Sequence, residues 1–168
     1  ATALIYQKLM ERFSENGVVS FDEVNTFGKL SAETIKKMPT YHAIVLAQND
    51  VGRVNLYKLI SLSHLDYYAR RPRIPRSLLE ENREGLILGS ACEAGELMQA
   101  ILRNSSHTEI SRIVNFYDYL EIQPLGNNAF MIESDKLPQI TSVSDLEELN
   151  KTIVRLGEEF NKPVCATC

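Results

Sequence analysis

The chain has 168 residues, 44% of them hydrophobic and 24% charged, with a formal net charge of −4. That length suffices for one domain that buries its own core. The acidic balance argues against binding nucleic acid through overall charge, and no apolar run nears the ~20 residues of a membrane span.

Taken in order, Tyr6, Leu9, Met10 and Phe13 fall on one face and predict a helix over residues 2–14, stopped by Asn16-Gly17. The N-terminus has no basic segment followed by a long apolar core, so it does not read as a signal peptide. It opens without Met inside a helical pattern, and the chain is expected to be a piece of a longer one. Residues 18–39 read as a linker with one or two helical turns, one of them capped within Ser20-Phe21-Asp22-Glu23.

Tyr41 to Ala47 is a predicted strand. Its unbroken apolar run, Ile44 to Ala47, is the pattern of a parallel strand covered on both faces. A helix over 51–64 follows, with Leu56, Leu59, Ile60 and Ser63 inward and Gly52 in its first turn. Residues 65–74 form an extended loop rich in arginine and proline. Pro75 then opens a short helix anchored by Leu78 and Leu79.

Leu86 to Leu88 is a short buried strand ending in the turn Gly89-Ser90-Ala91-Cys92. A helix over 93–103 follows, with Ala94, Leu97, Met98, Ile101 and Leu102 as its apolar stripe. The next helix covers 109–119, with Ile110, Ile113, Val114 and Tyr117 inward. Leu120 to Gln123 is a strand, and residues 129–143 are irregular. Ser144 with Glu147 predicts a capping box for the last helix, which turns Leu146, Leu149, Ile153, Leu156 and Phe160 to the core. Val164 to Cys168 is a final strand. Strands alternating with helices predict an α/β fold, a parallel sheet or barrel with helices outside.

Four groups carry possible chemistry. His42, at the start of a strand, reads as a metal ligand or acid–base group, or as a histidine bonded to a backbone carbonyl. Cys92, at a strand end before a helix, reads as a thiolate favoured by the helix N-terminus, or as a small buried apolar residue. Arg70, Arg71, Arg73 and Arg76, beside Tyr67 and Tyr68, suit phosphate, or pair with Glu80, Glu81 and Glu84. Cys165 and Cys168 match C-x-x-C, but within a strand their side chains point to opposite faces, so they read as ordinary strand residues. Three cysteines at uneven spacing make no disulfide framework and fit a reducing compartment. No phosphate-binding loop, dinucleotide turn or G-x-S-x-G is present.

Several stretches, in this order, resemble one family. They are Tyr41-His42-Ala43-Ile44-Val45-Leu46-Ala47-Gln48-Asn49, Pro72-Arg73-Ile74-Pro75-Arg76, Gly85-Leu86-Ile87-Leu88-Gly89-Ser90-Ala91-Cys92, Tyr119-Leu120-Glu121-Ile122-Gln123-Pro124 and Lys162-Pro163-Val164-Cys165-Ala166-Thr167. Together they are similar to the polymerase-and-histidinol-phosphatase (PHP) domain of PolC-type bacterial DNA polymerase III alpha subunits. The resemblance implies part of a distorted parallel β/α barrel over 41–168, a linker over 18–40, and, over 1–17, the final helix of the proofreading exonuclease that interrupts this domain. It further implies that His42 and Cys92 are two ligands of a divalent metal, zinc, manganese or magnesium. The family's His-x-His would precede the exonuclease and its Asp-x-His would follow Cys168, where glycine is frequent in the family. The implied parent is a cytoplasmic replicative polymerase that extends and proofreads DNA. Its partners would be its own exonuclease and polymerase domains, DNA, and replisome subunits such as the sliding clamp, with no membrane. The alternative is a free-standing metal-dependent phosphoesterase of the same superfamily.

Overall fold

The computed structural model describes residues 2–18 and 31–167. The chain divides into two compact units, Ala1–Met38 and Pro39–Cys168. The predicted cap at Ser20–Glu23 and Cys168 lie outside the described residues.

The first unit contains α1 (Thr2–Glu15) and the single turn α2 (Ala32–Ile35). The stop predicted at Asn16-Gly17 is formed by left-handed backbone at Gly17, with φ 74°, and the Val18 N–H closes onto the Phe13 carbonyl at 2.9 Å. Ser31 caps α2 through a bond from the Thr34 N–H, at 3.2 Å.

The second unit runs β1 (Ile44–Ala47), α3 (Asp50–Leu65), α4 (Arg76–Glu81), β2 (Leu86–Gly89), α5 (Glu96–Leu102), α6 (His107–Phe116), β3 (Leu120–Ile122), a 3-10 helix (Leu125–Met131), α7 (Val143–Glu159) and β4 (Val164–Ala166). The α/β class predicted from the alternation of strands and helices holds. β3 and β4 pair in parallel, Leu120 with Val164 and Ile122 with Ala166. One parallel bridge, Gly89 to Tyr119, joins β2 to the start of β3.

β1 departs from expectation: it pairs antiparallel with β2, Ile44 opposite Gly89 and Ala47 opposite Leu86. The reason lies at the far end of β1. After α3 and α4 the chain returns to where β1 finished, and the Gln48 N–H bonds the Gly85 carbonyl at 2.8 Å before β2 begins. Two glycines permit this contact. A Cβ on Gly52 would stand 1.8 Å from the Gly85 carbonyl oxygen, and Gly85 itself has φ 71°. Asn49 locks the corner by capping α3, its side chain accepting from the Gly52 N–H at 2.9 Å.

The strands have two unlike faces. Val45, Leu86, Leu88, Leu120 and Val164 point into the core with Leu59, Leu97, Ile113, Val114 and Ile153, under the helices. Burying each such side chain contributes roughly 1.5–3 kcal/mol. On the opposite face, Ile44 and Leu46 are exposed although the run 44–47 is apolar throughout. Periodicity cannot separate a strand covered on both faces from one covered on a single face when every residue is apolar.

Smaller differences have local causes. α6 starts at His107, two residues earlier than predicted, because Ser106 caps it through the Glu109 N–H. α7 is capped by Ser142 with Asp145 completing the box, not by Ser144 with Glu147. The Asp145 carboxylate collects bonds from the Thr141 and Ser142 backbone and hydroxyls, which holds its pKa below the usual value. The stretch 129–143 is less irregular than predicted: the 3-10 helix enters it, and Met131 and Ile140 are core residues. Ile60, predicted to face inward, is exposed, while Leu59 is fully buried.

Gly52→Ala is expected to lower stability by about 3 kcal/mol or more, since the added methyl meets rigid backbone. Leu65→Ala on the same helix, where Leu65 is 79% exposed, is expected to change it by less than about 0.5 kcal/mol. Urea unfolding of the two variants against wild type checks both.

Candidate metal centre

Antiparallel pairing puts the start of β1 beside the end of β2, and so brings His42 and Cys92 together. The His42 backbone N–H bonds the Ala94 carbonyl at 3.0 Å, and His42 bridges to Gly95. The His42 imidazole Nδ1 lies 3.3 Å from Cys92 Sγ. Cys92 is half-buried and its thiol is free, whereas His42 is exposed. The turn carrying Cys92 is shaped by Ala91, which takes left-handed backbone with φ 58°, and by the Gly95 N–H bonding back to the Cys92 carbonyl at 2.9 Å.

One of the two readings of Cys92 puts it at a helix N-terminus that favours its thiolate. The helix begins four residues later, at Glu96. Burial is the main cause pushing the Cys92 pKa up, and the neighbouring Glu93 carboxylate adds to it. Cys92 is therefore held as a thiol and not as an activated nucleophile. Among the described residues, no third His, Cys, Asp or Glu stands close enough to make a metal-holding group with the pair.

The other sequence candidates lie elsewhere. Arg70 sits at a tight turn with φ 64°, flanked by the Ala69 N–H bonding the Arg71 carbonyl at 3.0 Å. Arg70 and Arg71 are exposed, and Arg73 is half-buried. Arg76 is half-buried, paired with Glu96, and its guanidinium lies 4.0 Å from the Phe116 ring centroid. Arg83 approaches the same ring and pairs with Asp118 at 2.8 Å. The partners foreseen for the arginines were Glu80, Glu81 and Glu84; the one that meets Arg76 is Glu96. His64 and His107 are exposed; His107 pairs with Glu159 at 2.8 Å. Cys165 is exposed on β4, in register with Glu121.

Sequence reading passed over Glu121 and Tyr119. Glu121 is only 5% exposed, and its Oε2 accepts from the Thr167 hydroxyl at 3.0 Å. Burial, then the facing Glu121 carboxyl, pushes the Tyr119 phenol pKa up to about 12, although the hydroxyl makes no well-formed hydrogen bond to Oε1. The signal was present: a charged residue flanked by apolar ones in Leu120-Glu121-Ile122.

A mixed α/β unit carries this imidazole and thiol at neighbouring strand ends, and the chain belongs to the PHP domain family, which it matches over residues 8–133. Its curated relatives include the PolC-type DNA polymerases III of Clostridium perfringens, 47% identical over all of this chain, of Caldanaerobacter subterraneus, 46% identical over 99% of it, and of Bacillus subtilis, 42% identical over 99% of it. The chain spans 11–12% of the length of these relatives. Among its described residues, no helix is long and apolar enough to cross a membrane.

Removing the Glu93 charge removes one cause of the raised Cys92 pKa. Glu93→Gln is therefore expected to lower that pKa and to speed alkylation of Cys92 severalfold at mildly alkaline pH, because the thiolate is the reacting form. Site-resolved mass spectrometry after iodoacetamide treatment measures it; an unchanged rate would count against the assigned cause.

Proposed function

We propose that this chain is a segment of a PolC-type bacterial replicative DNA polymerase. It forms part of that enzyme's PHP barrel, and His42 and Cys92 are two ligands of a divalent metal there. The observation that carries the reading is the 3.3 Å approach of His42 Nδ1, just before β1, to Cys92 Sγ, in the turn after β2. A tetrahedral zinc with usual bond lengths would hold a nitrogen and a sulfur about 3.5 Å apart, so the pair needs little movement to accept one. The donor set, imidazole and thiol, suits zinc better than magnesium.

When bound, the metal would activate water and neutralise phosphate charge. The protein's own part is to set the donors. The Ala94 carbonyl fixes the backbone of His42, and the Ala91 turn presents the thiol. A cation beside Cys92 would displace its proton and reverse the effect of burial on it. With two ligands from these residues, the rest of the shell is supplied by other parts of the parent chain, which closes the barrel over the face bearing Ile44 and Leu46.

The parent protein would extend DNA from deoxynucleotides, proofread it, and work in the cytoplasm with replisome subunits such as the sliding clamp. Residues 1–17 would be the last helix of the exonuclease, 18–40 a linker and 41–168 the second part of the PHP domain. The exposure of Leu4, Ile5, Tyr6, Leu9 and Met10 on α1, between 45% and 63%, supports a helix that belongs against another domain. Similarity along the whole chain to much longer polymerases favours this reading over a free-standing phosphoesterase.

Elemental analysis of the intact polymerase tests the metal claim. Cys92→Ser and His42→Ala are each expected to lower bound metal, and content equal to wild type would remove that residue from the site. Arg70, Arg71 and Arg73 are proposed as DNA contacts of the parent; Arg76, the fourth of the group, is engaged by Glu96 and Phe116. Replacing the three with Ala should weaken DNA binding and flatten its salt dependence by about 0.9 per lost phosphate contact. An unchanged slope would exclude them.

A further inference from the structure

The sheet face that bears the metal pair also bears a carboxyl group that the reading above leaves unused. Glu121 is 5% exposed, and its oxygens are treated unequally. Oε2 faces β4 and accepts from Thr167 Oγ1 at 3.0 Å. Oε1 is buried and accepts no hydrogen bond from any described residue. None of the ion pairs among the described residues includes it. The Tyr119 phenol stands over Gly89 as Oε1 does, and the Glu121 carboxyl helps to raise its pKa, but the phenol forms no well-aligned bond to Oε1; a buried carboxyl oxygen left so is costly, which calls for a further partner there.

The direction of Oε1 is set by Gly89. A Cβ built on Gly89 would stand 2.5 Å from Oε1 and 2.3 Å from the Tyr119 ring. Oε1 therefore reaches across from β3 over the backbone of β2. Gly89, on β2, pairs with Ile44 of β1, which stands two residues after His42, and Gly89 itself stands three residues before Cys92. The Glu121 N–H also bonds Ser90 Oγ at 2.9 Å, inside the turn that carries Cys92. The free oxygen thus lies over Gly89, the last residue of β2 before the turn that carries Cys92. It makes no three-residue metal group with the imidazole and the thiol, so any role it has toward a cation there would run through a bridging water.

We propose that Glu121 is a positioning residue for the metal centre: its Oε1 accepts a hydrogen bond from a water bound to the divalent cation held by His42 and Cys92. The inference rests on the metal reading of that pair. Carboxyl groups in this outer position orient metal-bound water, and losing one typically costs 10–100-fold in metal affinity.

The test uses the full-length polymerase with Zn²⁺ as probe. Affinity is measured by chelator competition for wild type, Glu121→Gln and Cys92→Ser, and the melting temperature of each metal-free protein is recorded. The expected result is about 10–100-fold weaker binding in Glu121→Gln with an unchanged melting temperature, and weaker binding in Cys92→Ser. Wild-type affinity in Glu121→Gln, with weakened Cys92→Ser, overturns the role of Glu121 and leaves the metal pair standing. Wild-type affinity in both variants overturns the metal pair and this inference with it. Weakened Glu121→Gln beside an unaffected Cys92→Ser also overturns the inference, since the ion would then lie away from the pair. Should Glu121→Gln not fold, Glu121→Asp replaces it. The shorter side chain draws the carboxyl back, so weaker binding supports the role and wild-type binding overturns it.

Discussion

The contact of Gly52 with Gly85 decides the geometry of the second unit. It brings the chain back to the far end of β1, so that β2 must run the other way. His42 precedes β1 and Cys92 follows β2, and only opposed strands place those two positions at one end of the pair. Were β1 and β2 parallel neighbours, His42 would stand opposite Glu84, and the eight residues from there to Cys92, at about 3.3 Å each, would separate the two side chains by roughly 26 Å, beyond any shared ligand. Both the stability of the corner and the existence of the candidate site therefore descend from two residues without side chains.

Much of this was legible in the residues themselves. The helices carry apolar stripes of period 3.6, and Leu59, Leu97, Ile113, Leu146 and Ile153 sit in the core as that period requires. His42 and Cys92 were singled out by chemical type and by their place at strand ends. Strand direction was not legible. An apolar run such as Ile44 to Ala47 says that a strand is favourable, but hydrogen-bond partners follow from long-range contacts that leave no local pattern. The start of α7 was misplaced because Thr141-Ser142-Val143-Ser144 offers two serines, and Asp145 stabilises the earlier cap. Of the two readings of Cys92, the thiolate loses its premise for a related reason: Gly95 delays the helix, and burial, with Glu93 adding to it, raises the thiol pKa.

The two faces of the strands divide the labour of the domain. One face is apolar and packed under α3, α5, α6 and α7, and holds the fold. The other carries Ile44, Gly89, Tyr119, Glu121 and Cys165, a mixture of apolar, small and polar groups suited to a site. Arg76 joins the helices to this arrangement from the side. Its guanidinium spans Glu96 of α5 and the Phe116 ring of α6, a double engagement that the single point charge of lysine would not reproduce.

Left-handed backbone at Ala91 has a further meaning for Cys92. A residue with a side chain visits that conformation at a cost of about 1–3 kcal/mol, and it does so here one residue before the thiol. The turn is thus held by its surroundings in a shape that a free chain would seldom sample, whether or not anything occupies the space beside it. On the proposed metal reading, a cation arriving at Cys92 would meet a donor whose backbone is already set, with less entropy to lose on capture. Replacing Ala91 by glycine would ease the backbone while widening the set of directions the thiol can take, so the same change that relaxes the fold would blunt the aim of the thiol.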